Sequence, residues 1–286
     1  MFQHVQSAYR VARSTLDPLM RLVADVNNGF NLQPFHRTLA AQLDLTSAFN
    51  KVEHLGLLDI MDDLGIPSCF GRFYRGFLND RRFQVRFGNA MSKSAEESCG
   101  SPQGTVSSPW LFLIYMEALL RKISPVAEMT NVNLGMFSDD LTLWTTGLSL
   151  PSLEHKLTGM IKSVCRWNKS HNMQLAEKIG KCKTILFTNN RCDRAPIVLL
   201  YGKPLQSVKQ TKLLGVVLDA QLTMKAHFQK LMKEGKRRIG QLCAVANCCF
   251  GPSQLSLRNM YVAYVRAVFD YAAPVWFPLN AFRTRL

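Results

Sequence analysis

Residues 135–145 read Gly-Met-Phe-Ser-Asp-Asp-Leu-Thr-Leu-Trp-Thr: two adjacent acids at a turn between two short, apolar, β-favouring runs. Strands joined by so tight a turn pair antiparallel, which fixes one hairpin of the fold. The flanking runs read as buried, so the two carboxylates repel and raise each other's pKa in a poorly solvated place. Such a pair calls for a compensating partner.

The surrounding pattern supplies a frame. Residues 37–45, RTLAAQLDL, read as a strand ending at Asp44. A helical stretch follows, with Ala48, Val52, Leu55, Leu58 and Met61 at three- and four-residue steps, stopping near Gly65 and Pro67. Residues 81–89, RRFQVRFGN, alternate like a strand. Residues 109–123 open with a helix-compatible proline and close on two cations, as a dipole-matched helix does. Leu153, Leu157, Met160, Ile161, Val164 and Asn168 share one face of a further helix. KTILFT and KLLGVVLD read as strands, and helical stretches at 225–245 and 253–272 close the chain as a separate lobe. Interleaved helices with strands on tight turns predict α+β with an antiparallel sheet.

With 286 residues, 47% hydrophobic and 19% charged, the chain has the composition of a folded protein with a sizeable core. The greasiest run, Trp110–Met116, ends at Glu117, too short to cross a bilayer, and the first residues lack a secretory apolar region, so no membrane partner is expected. The eight cysteines contain no C-x-x-C pair, which argues against zinc and predicts reduced, mostly buried thiols. Charge is divided unevenly. Residues 1–150 carry 13 Lys/Arg against 14 Asp/Glu, a balance of −1, whereas 151–286 carry 22 against 6, a balance of +16, together the +15 of the chain. A near-neutral half holding the acids and a basic half suit a phosphate-backbone partner.

If the strands around Asp44 and Asp139–Asp140 are neighbours, three carboxylates converge. Divalent cations stabilise such a set; Mg²⁺ takes carboxylate oxygens plus substrate phosphates, and a pair of ions serves in-line phosphoryl displacement. The sequence holds its own control. Asp62-Asp63, in MDDLG, lies late in an amphipathic helix and reads as solvated surface. A second constellation, GSPQGTVSSPWLF at 100–112, packs Gly100, Pro102 and Gly104 around Gln103 just before a helix, where glycines let backbone approach a ligand.

LDLTSAFNKV, GSPQGTVSSPWLF and FSDD, in that order and spacing, resemble the reverse transcriptases of non-LTR (LINE-type) retrotransposons. QSAYRVARST (6–15) is similar to the family's fingertip segment, KTILF (183–187) to the segment after the palm helix, KLLGVVLD (212–219) to the primer grip and YVAYVRAVFDYAAPVW (261–276) to the thumb. The resemblance implies a right-hand polymerase: partial fingers at 1–36, a ferredoxin-like palm at 37–222 with 66–98 contributing finger elements, and an incomplete helical thumb at 223–286.

It further implies RNA-directed DNA synthesis with Mg²⁺ (or Mn²⁺), dNTPs, an RNA template, a DNA primer and their RNA–DNA duplex, at a nuclear, intracellular location. Asp44 and Asp139 would ligate the metals, assisted by Asp140 and the Leu45 carbonyl. Phe49 falls at the family's sugar gate, where a ring would collide with a ribose 2′-OH; packing in the core is its alternative use. Pro102, Gln103 and Gly104 would lie along the nucleotide and template base. Arg10 and Arg13 would hold the triphosphate, and Lys183, in competition with Lys181, would approach the leaving pyrophosphate. Leu213, Leu214 and Gly215 match the primer grip. Lys225, Lys230, Lys233, Lys236, Arg237 and Arg238 would contact duplex backbone without reading sequence.

The sequence also departs from the family pattern. Asn50 stands where the family has an aspartate, earlier finger elements are missing, and no endonuclease, RNase H or Cys/His knuckle is recognisable, so the chain reads as part of a longer retrotransposon protein. The rival readings are a decayed fragment that binds nucleic acid without extending primers, an RNA-dependent RNA polymerase, which Phe49 opposes, and a maturase.

Overall fold

The computed structural model describes residues 2–102, 104–178, 180–190, 192–246 and 251–277. Helix α1 (Leu16–Asn31) precedes strand β1 (Arg37–Leu43). A 3₁₀ turn at Ala48–Lys51 leads to α2 (His54–Asp63), α3 (Ser68–Leu78) and the long α4 (Ser108–Thr130). Strands β2 (Asn133–Phe137) and β3 (Asp140–Gly147) form the hairpin and α5 (Leu150–Ser170) returns across the sheet. Strands β4 (Lys183–Phe187) and β5 (Gln206–Val208) complete a sheet of order β5-β4-β1-β3-β2. β1 lies antiparallel to both β3 and β4, and only β5 runs parallel to its neighbour. Without that edge, the order β4-β1-β3-β2 with a helical crossover on either side of the hairpin is the ferredoxin-like arrangement.

The period of two along each strand sorts side chains between two layers. Leu39, Ala41 and Leu43 of β1, Leu141 and Leu143 of β3 and Leu186 of β4 face a core with Leu111, Phe112 and Tyr115 of α4 and Leu157 and Ile161 of α5. Ala40, Trp144, Ile185 and Phe187 face the other way, against Leu19, Leu22 and Val26 of α1. Gly135 of β2 permits this contact: a Cβ there would stand 3.0 Å from both Pro18 and Trp144. Both faces of the sheet are therefore covered, which is why β1 reads as a nearly continuous apolar run.

A small hairpin, β6 (Gln210–Leu213) and β7 (Val216–Asp219), leads to α6 (Lys225–Val245). Then come α7 (Gln254–Met260), a π-helical stretch Tyr261–Arg266, and the short α8 (Ala267–Asp270) and α9 (Ala273–Trp276). These helices share a core with the sheet rather than forming a detached lobe: Leu231, Val275 and Trp276 are buried in the same layer as α1.

Several local expectations change. The 3₁₀ turn and the extended Val52–Glu53 step shift the helical phase, so Leu55 faces solvent, 78% exposed. Residues 81–89 form only two-residue strands, Arg82–Phe83 and Arg86–Phe87, paired with Ala95–Glu96 and Ala90–Met91; no layer covers them, so their alternation buries nothing. Helix α4 runs past its two cations and through Pro125 to Thr130, because Ile123, Ser124 and Ala127 continue its buried face. The cysteines are not mostly buried: of the six described thiols only Cys182 is, while Cys69, Cys192 and Cys243 are exposed. Among the described residues, no helix is long and apolar enough to cross a membrane.

Candidate active site

Register places the acids. Leu43 pairs with Leu141, so Asp44, one residue on, and Asp140, one residue back, occupy the next step of the same ladder. Phe137 pairs with Asp140, leaving Ser138 and Asp139 as a two-residue turn in which Ser138 takes φ +58°. Asp140 lies on an open rim. Even so, the protein around its carboxyl strips away water and Asp139 and Asp44 repel its charge, so its pKa is raised although Lys181 draws it down. All three carboxylates are thus within electrostatic reach of one another, whereas Asp62 and Asp63 sit exposed at the end of α2.

Lys181 is the cation that meets them. Its Nζ lies 3.1 Å from Asp44 Oδ2, and this bond, reinforced by the charges of all three acids, raises the lysine pKa. Lys183, two residues on, sits beside Gln42 in the β1–β4 pairing. One cleft brings together Asp44, Asp140, Lys181, Lys183, Lys212, Leu213 and Leu214. The segment taken for a primer grip therefore opens onto the acids. Its turn has left-handed Leu214 (φ +43°) and Gly215 (φ +88°).

The donor set suits a hard divalent cation: carboxylate oxygens, with a backbone carbonyl beside them. The bridge between Leu45 and Leu175 is closed by Thr46 N–H to Gln174 O (2.9 Å) and Ala176 N–H to the Asp44 carbonyl (2.8 Å). In that pattern the Leu45 carbonyl points away from Leu175 and takes no part in the bridge. Among the described residues no group of three or more His, Cys, Asp or Glu side chains is placed to hold a metal ion by itself.

The glycine-rich segment is tied to the loop after Asp44. Ser101 N–H donates to Phe49 O and Gly100 N–H to Val52 O, both at 2.8 Å, and His54 Nε2 donates to Gly100 O at 2.9 Å. Pro102 is buried and its carbonyl accepts from the Thr105 and Ser108 hydroxyls; Gly104 is exposed with φ +84°. Gln103 lies outside the described residues. The half-buried Phe49 ring stacks on Phe112, centroids 4.2 Å apart, so it packs on the core edge beside the cleft.

The basic residues divide. The Arg10 guanidinium donates to the Gln3 and Gln6 carbonyls at 2.6 and 2.9 Å, and Arg13 meets His4, so both tie down the N-terminal loop. On α6, Lys225, Lys233 and Lys236 line an open groove with Phe228 and Met232. Lys230 reaches back to the Gly215 carbonyl at 3.3 Å. Arg237 forks onto Glu234 and Arg238 adds a single Nε bond to it, and the Glu234 pKa falls to about 2 through those bonds. Two of these six α6 cations are therefore already paired.

Sequence reasoning missed Gln6. It is 1% exposed, and its carboxamide spans the Ser138 peptide beside Asp139, while Ser7 N–H donates to Met136 O at 3.0 Å. No local spacing signals a bond between residues so far apart in the chain.

The profile of the family described as reverse transcriptase (RNA-dependent DNA polymerase) matches residues 1–218. The chain belongs to that family. The chain is 26% identical over 240 residues to a putative 115 kDa protein in type-1 retrotransposable element R1DM of Drosophila melanogaster, covering 84% of this chain and 22% of that protein. It is 28% identical over 246 residues to the RNA-directed DNA polymerase from mobile element jockey of Drosophila funebris, covering 83% of this chain and 25% of that protein. The chain thus spans about a quarter of the curated relatives it matches. A telomerase from Candida tropicalis in complex with a TWJ fragment of telomeric RNA shares the fold, with TM-score 0.56 at 11% identity, over 98% of this chain and 44% of that one.

Proposed function

We propose that this chain carries the polymerase centre of a retrotransposon protein and performs RNA-directed DNA synthesis with Mg²⁺ or Mn²⁺. The observation that carries the reading is the register: Asp44 and Asp140 stand one residue beyond the Leu43–Leu141 pair that ends the β1–β3 ladder, on a cleft also lined by Lys181 and Leu213–Leu214, with Asp139 next to Asp140 in the turn. Asp44 and Asp139 would hold the cations, with Asp140 and the Leu45 carbonyl assisting; when bound, the ions activate a primer 3′-hydroxyl and neutralise phosphate charge. The 3′-oxygen bonds to the α-phosphorus of a dNTP, the α–β anhydride breaks, and pyrophosphate leaves.

The protein's own part is placement. The β2–β3 turn and the end of β1 fix the acids, and the Leu213–Gly215 turn faces them as the support for a primer end. Lys181 stands where it can neutralise the departing pyrophosphate, a better position than Lys183. An RNA template, a DNA primer and their duplex are the macromolecular partners, with Lys225, Lys233 and Lys236 available to duplex phosphates.

The decisive test is primer extension on poly(rA)/oligo(dT) with Mg²⁺, using wild type, Asp139→Ala and Asp62→Ala. Loss in Asp139→Ala alone is expected. Equal loss in both variants overturns the assignment. The engagement of Arg10 with the Gln3 and Gln6 carbonyls favours one second reading, a chain that binds duplex without extending it. Retained duplex binding by a wild type that makes no DNA would establish that alternative.

A further inference from the structure

Helix α5 carries a second charge anomaly, on its outer surface. Lys162, Arg166 and Lys169 follow one another at four- and three-residue steps, so they form a single stripe opposite the buried Leu157, Ile161 and Val164. Like charges at such spacing destabilise a helix, and solvent-facing helices ordinarily intersperse acids among them. Here the only acid in α5 is Glu154, and it is engaged by Arg194 at 2.6 Å on the inner side. None of the three stripe cations has an ion-pair partner among the described residues, in contrast to Arg237 and Arg238 on the thumb.

The stripe borders a concave surface. Lys51, from the 3₁₀ turn after Asp44, also lines it, as do Met173, Gln174 and Tyr201. Among the described residues, Glu177 is the one acid in its lining. Tyr201 is exposed, while its hydroxyl accepts the Leu175 N–H at 3.4 Å, so its side chain is held in place beside four cations. Cations that follow a groove, together with a fixed aromatic face, are the two components of a sequence-tolerant single-strand site. Leu175 in turn bridges to Leu45, which puts this groove next to the catalytic loop on the helix side of the sheet.

We propose that this groove binds single-stranded nucleic acid, the unpaired part of the template. The proposal rests on the polymerase reading for which strand arrives there. The phosphates lie along Lys162, Arg166, Lys169 and Lys51, and a base stacks on Tyr201. Two cationic surfaces then divide the work: the α6 groove takes duplex and the α5 groove takes single strand.

The test is binding, so it stands whether or not the chain extends primers. Lys162, Arg166 and Lys169 are replaced together by alanine, which preserves helix propensity, and Lys225, Lys233 and Lys236 are replaced together as the contrast. Fluorescence anisotropy is measured with single-stranded RNA and with a blunt RNA–DNA duplex over a salt series. The α5 triple is expected to weaken single-strand binding about tenfold or more and to flatten its log–log salt slope by about 2, since each lost cation removes about 0.7 on a single strand. Its duplex affinity changes less than twofold, and the α6 triple shows the reverse pattern. Unchanged single-strand affinity in the α5 triple, or equal loss on both ligands, overturns the proposal. Displacement of the strand by pyrophosphate at concentrations matched for charge would assign the groove to free phosphates and overturn it too.

Discussion

Gln6 closes on both backbone groups of Ser138 in the β2–β3 turn: its Nε2 donates to the Ser138 carbonyl at 3.3 Å, and its Oε1 accepts the Ser138 N–H at 3.2 Å. The same Oε1 accepts the Ala8 N–H at 3.0 Å, so one carboxamide locks the N-terminal segment to the turn that carries Asp139. Removing it strands backbone groups in a buried place. Gln6→Ala is expected to cost about 1–3 kcal/mol in denaturant unfolding, because unsatisfied buried polar groups lose their hydration without compensation. A positioning role predicts one thing more, a higher Mg²⁺ concentration for half-maximal extension. A variant as stable as wild type would show that the clamp is incidental.

Lys181 and Lys183 make opposite predictions. The bond to Asp44 and the neighbouring carboxylates raise the Lys181 pKa, so the ammonium stays charged well above neutral pH and is lost only as pH rises past the ordinary lysine range. If it protonates or neutralises the leaving pyrophosphate, Lys181→Ala slows single-nucleotide incorporation by about 10²-fold, the lower end for a positioned proton donor. Lys183→Ala should leave the rate within a few-fold. Rapid-quench measurement under saturating dNTP separates them, and an unchanged Lys181→Ala rate excludes the leaving-group role.

Phe49 stacks on Phe112 from the 3₁₀ turn after Asp44, as a packing role requires. Phe49→Ala is expected to cost up to about 3 kcal/mol, the low end for a phenylalanine because the ring is only half-buried. If the ring also faces the sugar, preference for dNTP over rNTP falls about tenfold or more. Destabilisation with intact sugar selectivity would assign the ring to packing alone.

The Arg37–Asp193 pair gives the fold a pH signature. Arg37 Nε and Nη2 fork onto the carboxylate at 2.6 and 2.7 Å, and Thr188 adds a third bond, fastening the start of β1 to the loop after β4. These bonds, the Arg37 bond foremost, hold the Asp193 carboxyl below its usual range. Its contribution is therefore complete above the ordinary carboxylate range and is lost as pH falls through the depressed value. Asp193→Asn should cost about 1.5–3 kcal/mol at neutral pH. Denaturant midpoints of variant and wild type should converge on acidification, and a gap independent of pH would refute the charge-based account.

How far the sequence carried these conclusions depends on the range of each interaction. The hairpin at Asp139, the strand ending at Asp44 and helix α5 were readable because their apolar periods are local and each has a covered face. The same periodicity misled at Leu55, where a 3₁₀ turn moved the phase, and at residues 81–89, where an alternating pattern has no layer to pack against. The partners of charged groups were not readable at all. Arg10 looked like a triphosphate ligand and donates instead to nearby carbonyls, and Arg237 and Arg238 looked like duplex contacts and are held by Glu234. Composition records charges but not which of them are already neutralised.

Gly215 tests whether the turn between β6 and β7 depends on its docking. Tyr271 donates from its hydroxyl to the Leu214 carbonyl at 2.7 Å and lies 3.1 Å from Thr15 Oγ1, so the segment after α8 and the segment before α1 meet on this turn. Gly215 sits there at φ +88°, and a Cβ would come within 2.9 Å of the Tyr271 ring. Gly215→Ala therefore combines left-handed backbone strain with a clash, about 1–3 kcal/mol for the strain alone. Relieving the clash means moving Tyr271 or the turn, and the turn shares a cleft with Asp44 and Asp140. Weaker primer–template binding should accompany the lower stability, and Gly215→Ala/Tyr271→Ala should recover part of the binding by making room for the methyl group. No recovery in the double variant would mean that the turn holds its shape without the tyrosine, and that the strain at Gly215 accounts for the whole effect.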